Sequence, residues 1–180
     1  MKEQSHNVAI LANGCFWCTE AIFQELEGVE KVEPGYIGGN LDNPTYEQVS
    51  TGITNHAEAL RIYYHPALIS YSDLLEVFFA THDPTTLNRQ GADVGTQYRS
   101  EIFYTTLKQK EEADFFVTQL NKAHAFDSPV VTQVSAATTF WVAENYHHNY
   151  FNNNPNKPYC NAVISPKVKK FKTLFAEELK

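Results

Sequence analysis

The sequence predicts an α+β two-layer sandwich with a ferredoxin-like split βαβ core, and three observations carry that expectation. The chain has 180 residues, the size of a single domain. Its composition is 43% hydrophobic and 19% charged, which gives apolar surface enough for a core and lacks the signature of disorder. Its first six elements read strand, helix, strand, strand, helix, strand, the order of split βαβ sheets. Long active-site loops and an irregular C-terminal tail decorate this core, so one domain over 1–180 is expected, with 152–180 as the tail.

Each element has its own signal. Asn7 to Ala12 is a short apolar run ending at Asn13-Gly14, the punctuation of a strand that turns sharply. From Phe16 to Leu26 apolar residues recur at Phe16, Trp17, Ile22, Phe23 and Leu26, with Gly28 beyond. That is helix spacing with a glycine stop, and it puts Cys15 at a helix N-terminus. Val29 to Tyr36 reads as a second strand, and Gly38 to Asn55, rich in Gly, Asn, Thr and Pro, as a long loop. His56 to Tyr64 is a strand closed by His65-Pro66. Ser70 or Ser72 caps a helix through Ala80 that buries Leu74, Leu75, Phe78 and Phe79.

Asp83 to Gly95 is a second long polar loop and Tyr98 to Thr105 a strand. Thr106 and Gln109 have capping-box spacing for a helix running to about His124. Val130 to Val134 alternates as a further strand, and Trp141 to Phe151 reads as helix. The Asn/Pro-rich remainder has one amphipathic segment around Phe171 and Leu174. No repeat or linker interrupts the chain.

Composition narrows the function classes. A formal net charge of −7 argues against nucleic acid or anionic lipid as partner, since both need clustered Lys and Arg. The N-terminus, MKEQSHNVAI, lacks the apolar core of a leader, and no stretch is long enough to span a bilayer, so a cytoplasmic protein is expected. Three cysteines, Cys15, Cys18 and Cys160, fit no stapled secreted framework. The one methionine is Met1.

The strongest chemical signal is Asn13-Gly14-Cys15-Phe16-Trp17-Cys18. A thiol in the first turn of a helix meets unpaired N–H groups and the positive end of the dipole, which favour the thiolate. Phe16 and Trp17 can wall an apolar pocket beside it, or simply pack the helix. Cys15 and Cys18 also form a Cys-x-x-Cys pair, compatible with a thioredoxin-like dithiol or half a zinc site. No second Cys-x-x-Cys and no His-x₃-His spacing exists to complete a metal site, and His147-His148 reads as structural or solvated. A non-enzymatic module that docks peptides on its aromatic loops is a third reading.

Further motifs sharpen the choice. Glu20, Gly38-Gly39, Asn43-Pro44-Thr45-Tyr46-Glu47-Gln48-Val49, Gly52, His56-Ala57-Glu58-Ala59, His82-Asp83-Pro84, Gln90-Gly91-Ala92-Asp93 and Gly95-Thr96-Gln97-Tyr98-Arg99-Ser100 follow Gly14-Cys15-Phe16-Trp17 in order. Together they closely resemble the A-type peptide methionine sulfoxide reductases, from about Val8 to Cys160. The resemblance implies reduction of the S-epimer of methionine sulfoxide, free or in proteins, by a monomer that uses a thioredoxin-type reductant and no metal or organic cofactor. It matches Cys15 to the nucleophile, Phe16 and Trp17 to the pocket for the substrate's S-methyl group, and Tyr46, Glu58 and Tyr98 to the groups around the sulfoxide oxygen. Asp93 matches a polar residue supporting that site.

Elementary chemistry agrees with these roles. A sulfoxide resists a thiolate until its oxygen is protonated, so an acid is needed nearby. Glu58 lies in a strand-forming stretch between Ala57 and Ala59, where burial would raise its pKa and keep it a proton donor. Tyr46 and Tyr98 offer phenolic donors on the two long loops. Attack by Cys15 leaves a sulfenic acid, which condenses with a nearby thiol. Cys160, after Pro158-Tyr159 in a tail that reads as mobile, is the preferred resolving thiol, and Cys18, where many relatives have glycine, is second.

Overall fold

The computed structural model describes residues 7–180. Met1 to His6, on which the expectation about the N-terminal stretch partly rests, lie outside the described residues. In chain order the elements are β1 (Asn7–Asn13), α1 (Phe16–Phe23), β2 (Val29–Ile37), α2 (Tyr46–Ser50), β3 (Ala57–Tyr64), α3 (Tyr71–Ala80), β4 (Arg89–Gln90), β5 (Asp93–Val94), β6 (Ser100–Tyr104), α4 (Leu107–Lys122), β7 (Gln133–Ala136), β8 (Trp141–Val142), α5 (Tyr150–Asn153) and α6 (Ser165–Leu174). Short 3₁₀ turns cover Thr96–Tyr98 and Asn145–His147, and a π-helical turn covers Cys160–Ile164.

The main sheet has the order β7-β6-β1-β3-β2-β8. β1 pairs antiparallel with β3 and β6, and β3 antiparallel with β2. The central four strands are therefore two βαβ units, β1-α1-β2 and β3-α3-β6, each split by a strand of the other, as the element order predicts. β7 extends the sheet parallel to β6, and β8 antiparallel to β2.

Strand alternation sorts the core into two faces. Ala9, Leu11, Leu60, Ile62, Tyr64 and Ile102 face the helices, where they meet Ile22, Phe23, Leu74, Leu75, Phe78 and Phe171. Ile10, Ala12, Ile37, Ala57, Ala59 and Phe103 form the opposite face, covered by Ala137 and Phe140. The Arg61 guanidinium lies 4.5 Å from the Phe140 ring centroid and closes that side. Glu58 stands two residues before Leu60, so its carboxyl points into the helical layer, towards the start of α1.

Local signals decide several boundaries. Ser70, not Ser72, caps α3: its hydroxyl accepts from Asp73 N–H at 3.0 Å while Asp73 accepts from Ser70 N–H at 2.9 Å. At α4 the box is half formed, because Thr106 accepts from Gln109 N–H but the Gln109 side chain turns to Thr105 N–H and to the Val8 carbonyl. That choice pins α4 to β1.

Other expectations are corrected by tertiary contacts. Trp141 to Phe151 is not one helix. Trp141 and Val142 pair with Tyr36 and Gly35 at the edge of β2, and the rest is a 3₁₀ turn followed by α5. Gly35 permits this approach, since a Cβ there would lie 2.4 Å from Phe140. The stretch read as an irregular tail is helical from Cys160 to Leu174, because Ile164, Val168 and Phe171 complete the helical layer. The two long loops hold α2 and the small β4-β5 hairpin, and β7 begins at Gln133 rather than Val130.

Candidate active site

The site forms where β1 breaks into α1. Gly14 has φ +104°, in the left-handed region, and a Cβ there would lie 2.8 Å from Cγ of Gln90, so backbone and space both select glycine. Gln90 is itself fixed by paired amide bonds to the Asp83 backbone at 3.0 and 2.8 Å. Cys15 is the N-cap residue of α1, and its carbonyl accepts from Cys18 N–H at 3.1 Å. The next amide, Phe16 N–H, donates to Glu58 Oε1 at 3.1 Å. An orphan donor of the helix start is thus satisfied by a carboxyl from the sheet, which brings Glu58 beside Cys15.

Cys15, Phe16, Trp17, Tyr46, Glu58, Asp93, Tyr98 and Tyr159 line a cavity of about 160 Å³. Seven of the nine residues singled out in the sequence therefore converge on one hollow. Tyr46 arrives as the first residue of α2, whose cap is a full Thr45/Gln48 box. Asp93 arrives on the β4-β5 hairpin, paired with Gln90, and Tyr98 at the end of the following 3₁₀ turn. Two larger hollows, of about 410 and 630 Å³, are open grooves around His82 and Tyr71 and contain no thiol.

Cys18 and Cys160 do not line the cavity. Cys18 lies behind Cys15 in the buried core and hydrogen-bonds it. Cys160 is fully buried in the same core, on the π-helical turn, so it is not on a loose tail. All three cysteines are free thiols.

Burial sets the electrostatics. It pushes the Glu58 carboxyl up to about 8, against the lowering effect of the Phe16 N–H and with the help of the Asp93 charge. Tyr46 is pushed up to about 12 by burial and the Glu58 charge, and Tyr98 is raised by the same two causes. At neutral pH the cavity thus holds one protonated carboxyl, Glu58, and three neutral phenols, Tyr46, Tyr98 and Tyr159, all hydrogen-bond donors.

The thiolate expected at Cys15 from the helix dipole is not the resting state. Burial, the hydrogen bond with Cys18 and the nearby Glu58 charge raise the Cys15 thiol well above its ordinary value. Cys18 moves the other way, drawn down first by the hydrogen bond from Cys15 and also by the Lys167 ammonium and the Tyr159 hydroxyl. Burial and two neighbours, Cys18 and Glu58, outweigh the partial charge of a helix end here.

A shell of residues passed over in the sequence supports the site. The Glu144 carboxylate accepts from the Tyr36 hydroxyl and from Tyr46 N–H, both at 3.0 Å, which seats α2. His147 Nδ1 accepts from the Trp17 indole N–H at 2.9 Å, although His147-His148 reads from sequence as structural or solvated. Tyr150 stacks on Trp17, with centroids 3.7 Å apart and planes 7° from parallel, and its N–H is held by the buried Glu20. The Tyr159 hydroxyl donates to Asp93 Oδ2 at 2.7 Å. These residues lie 66 to 133 positions from their partners, so only the fold joins them; the one local hint is the run Glu144-Asn145-Tyr146-His147-His148-Asn149-Tyr150, dense in aromatic and polar side chains.

Among the described residues, no cluster of three His, Cys, Asp or Glu side chains is arranged to hold a metal, and no helix is long and apolar enough to cross a membrane. The profile of the family described as peptide methionine sulfoxide reductase matches residues 7–179. Peptide methionine sulfoxide reductase MsrA of Deinococcus radiodurans is 56% identical over 172 residues, covering 96% of this chain and 84% of that protein. The MsrA of Ralstonia nicotianae is 50% identical over 182 residues, covering 99% and 95%. Among solved structures, Mxr1 from Saccharomyces cerevisiae in reduced form superimposes with a TM-score of 0.81 at 31% identity, covering 86% of this chain and 89% of that one.

Proposed function

The chain belongs to the peptide methionine sulfoxide reductase family, and from that premise we propose how its cavity reduces the S-epimer of methionine sulfoxide to methionine. The observation that carries the assignment is a thiol and a buried carboxyl held side by side, on either side of the Phe16 amide, in a cavity of about 160 Å³ walled by aromatic rings. Phe16 and Trp17 receive the S-methyl group, while Glu58, Tyr46 and Tyr98 hold the sulfoxide oxygen, with Asp93 and Tyr159 bracing the rim.

Cys15 Sγ attacks the sulfoxide sulfur as Glu58 gives its proton to the oxygen. The thiol proton returns to Glu58, so the acid is regenerated. The substrate S–O bond breaks, the sulfur gains two electrons, and the oxygen ends on Sγ as a sulfenic acid. Cys18 is the nearer resolving thiol, supported by its hydrogen bond to Cys15 and its lowered pKa. Its thiolate displaces water from the sulfenic acid to give a Cys15–Cys18 disulfide. Thioredoxin then reduces this disulfide by attack at Cys15, the one of the three cysteines that is not buried. This order replaces direct resolution by Cys160, because a helical, buried residue does not swing freely into the cavity. Dependence on such a reductant fits a cytoplasmic enzyme.

The test is single turnover. Reduced protein mixed with one equivalent of each epimer, without reductant, is expected to form methionine from the S-epimer alone and to lose two thiols. Cys18→Ser should form methionine and stall as the sulfenic acid. If neither epimer reacts while the protein still reduces insulin disulfides, the function is that of a Cys15-Cys18 dithiol carrier instead.

A further inference from the structure

We propose that Tyr159 is a catalytic residue of disulfide formation: its hydroxyl links the Cys18 thiol, buried in the core, to the Asp93 carboxylate in the cavity and carries the thiol proton to the departing oxygen. The proposal rests on reading Cys18 as the resolving thiol.

Disulfide formation has to move one proton out of the core. When Cys18 Sγ closes on the Cys15 sulfenic acid, an S–S bond forms, the Cys15 S–O bond breaks and the oxygen departs as water. That water needs one proton more than the sulfenic acid hydroxyl carries, and the thiol has one to lose. Cys18 is only 5% exposed and does not line the cavity, so its proton has no direct path to solvent or to the oxygen.

The groups facing Cys18 narrow the route. They are Cys15, Glu58, Asp93, Tyr159, Cys160 and Lys167. At this stage Cys15 is the sulfenic acid and Glu58 has its proton back. Burial keeps Cys160 a thiol, and Lys167 is a cation. The lone pair that can take the proton therefore belongs to Tyr159 or Asp93.

Tyr159 reaches both compartments. It packs against the core cluster that holds Cys18, and it lines the cavity beside Asp93 and Cys15. Its hydroxyl donates to Asp93 Oδ2 at 2.7 Å and also hydrogen-bonds the Cys18 sulfur. One hydroxyl has one proton, so while that proton lies on the Asp93 side the phenol oxygen can only accept from the Cys18 thiol. The chain from Cys18 S–H through Tyr159 O–H to the Asp93 carboxylate is thus ordered in one direction before the step begins. Burial and the charges of Cys15 and Cys18 oppose a free phenolate at Tyr159, so it accepts and donates together. Asp93, left protonated in the cavity, passes the proton to the oxygen leaving Cys15, and no outside acid or base is needed. When thioredoxin later opens the disulfide at Cys15, the same hydroxyl donates to the departing Cys18 thiolate.

The test is single turnover of the full chain with methionine S-sulfoxide and no reductant, quenched at intervals between about pH 6 and about pH 9, in wild type, Tyr159→Phe and Asp93→Asn. Methionine formed reports the first step; dimedone-reactive sulfenic acid and the count of free thiols report the second. In wild type the second step should change by less than about threefold over this range, because the proton moves internally. Tyr159→Phe keeps the ring and removes the relay. Sulfenic acid should then accumulate, and the second step should run about 10²-fold slower near neutral pH and quicken about tenfold per pH unit as it waits for Cys18 to ionise. Asp93→Asn still accepts from the Tyr159 hydroxyl but takes no proton, so the same slope is expected; a role in seating Tyr159 alone would leave its profile flat. The proposal is overturned if Tyr159→Phe keeps the wild-type rate and profile of the second step, if Asp93→Asn keeps a flat profile, or if the wild-type rate itself climbs about tenfold per pH unit. If Cys18→Ser still loses two thiols, the reading of Cys18 as the resolving thiol fails first.

Discussion

Glu58 shows how one residue trades stability for chemistry. Its carboxyl titrates near 8 in the folded chain and near 4.5 in an ordinary setting, so its contribution to stability is full at low pH and fades as pH rises through 8. Two outcomes follow. The kcat/KM of the wild type should fall above about pH 8 as the acid form is lost, visible in a pH profile. Glu58→Gln should lower kcat/KM by about 10²–10⁴-fold, yet stabilise the fold at pH 9 by up to about 5 kcal/mol, a gain that shrinks towards pH 5 in denaturant titrations. If the disulfide-exchange activity falls in parallel with sulfoxide reduction, Glu58 is not the acid. Gly14→Ala should be destabilising by more than about 1 kcal/mol and slow the first turnover, since the new methyl collides with Gln90 and the backbone cannot keep φ +104° without strain.

At the scale of elements, the cavity is assembled from pieces that are each locally stable but placed by distant partners. α3 is specified by its own sequence: Ser70→Ala should reduce stability by about 1 kcal/mol in urea and leave turnover unchanged, because its cap is remote from the cavity lining. α2 differs. Its capping box makes the helix, but the Glu144 carboxylate decides where Tyr46 points. Glu144→Ala would strand the buried Tyr36 hydroxyl and the Tyr46 amide, so a loss of about 1–3 kcal/mol per group is expected together with lower turnover. Measuring both separates them: a stability loss with unchanged kcat would mean that α2 is seated by other bonds. The same logic explains the misread elements. Trp141-Val142 has helix-compatible spacing, and pairing with the edge of β2 outweighs that weak local preference.

At the scale of the whole molecule, the C-terminal third is structural rather than appended. Phe171 is fully buried among residues of α1 and α3, so Phe171→Ala should lower stability by about 3–5 kcal/mol, readable as a shift in the denaturation midpoint. A shift below about 1 kcal/mol would show the terminal helix to be detachable. By itself the sequence determined the split βαβ order, since strand and helix periods and the Gly, Pro and Ser punctuation are local properties of the chain. Its ordered motifs, through the family they resemble, also picked out the residues that meet in the cavity, where each residue taken alone would pass as packing or as a surface charge. Only the tertiary structure decided that Glu58 is buried enough to stay protonated, that Cys15 rests as a thiol, that Cys18 is its immediate partner, and that Glu144, His147, Tyr150 and Tyr159 frame the site. Those properties depend on desolvation and on contacts between residues scores of positions apart, which no local pattern in the chain encodes.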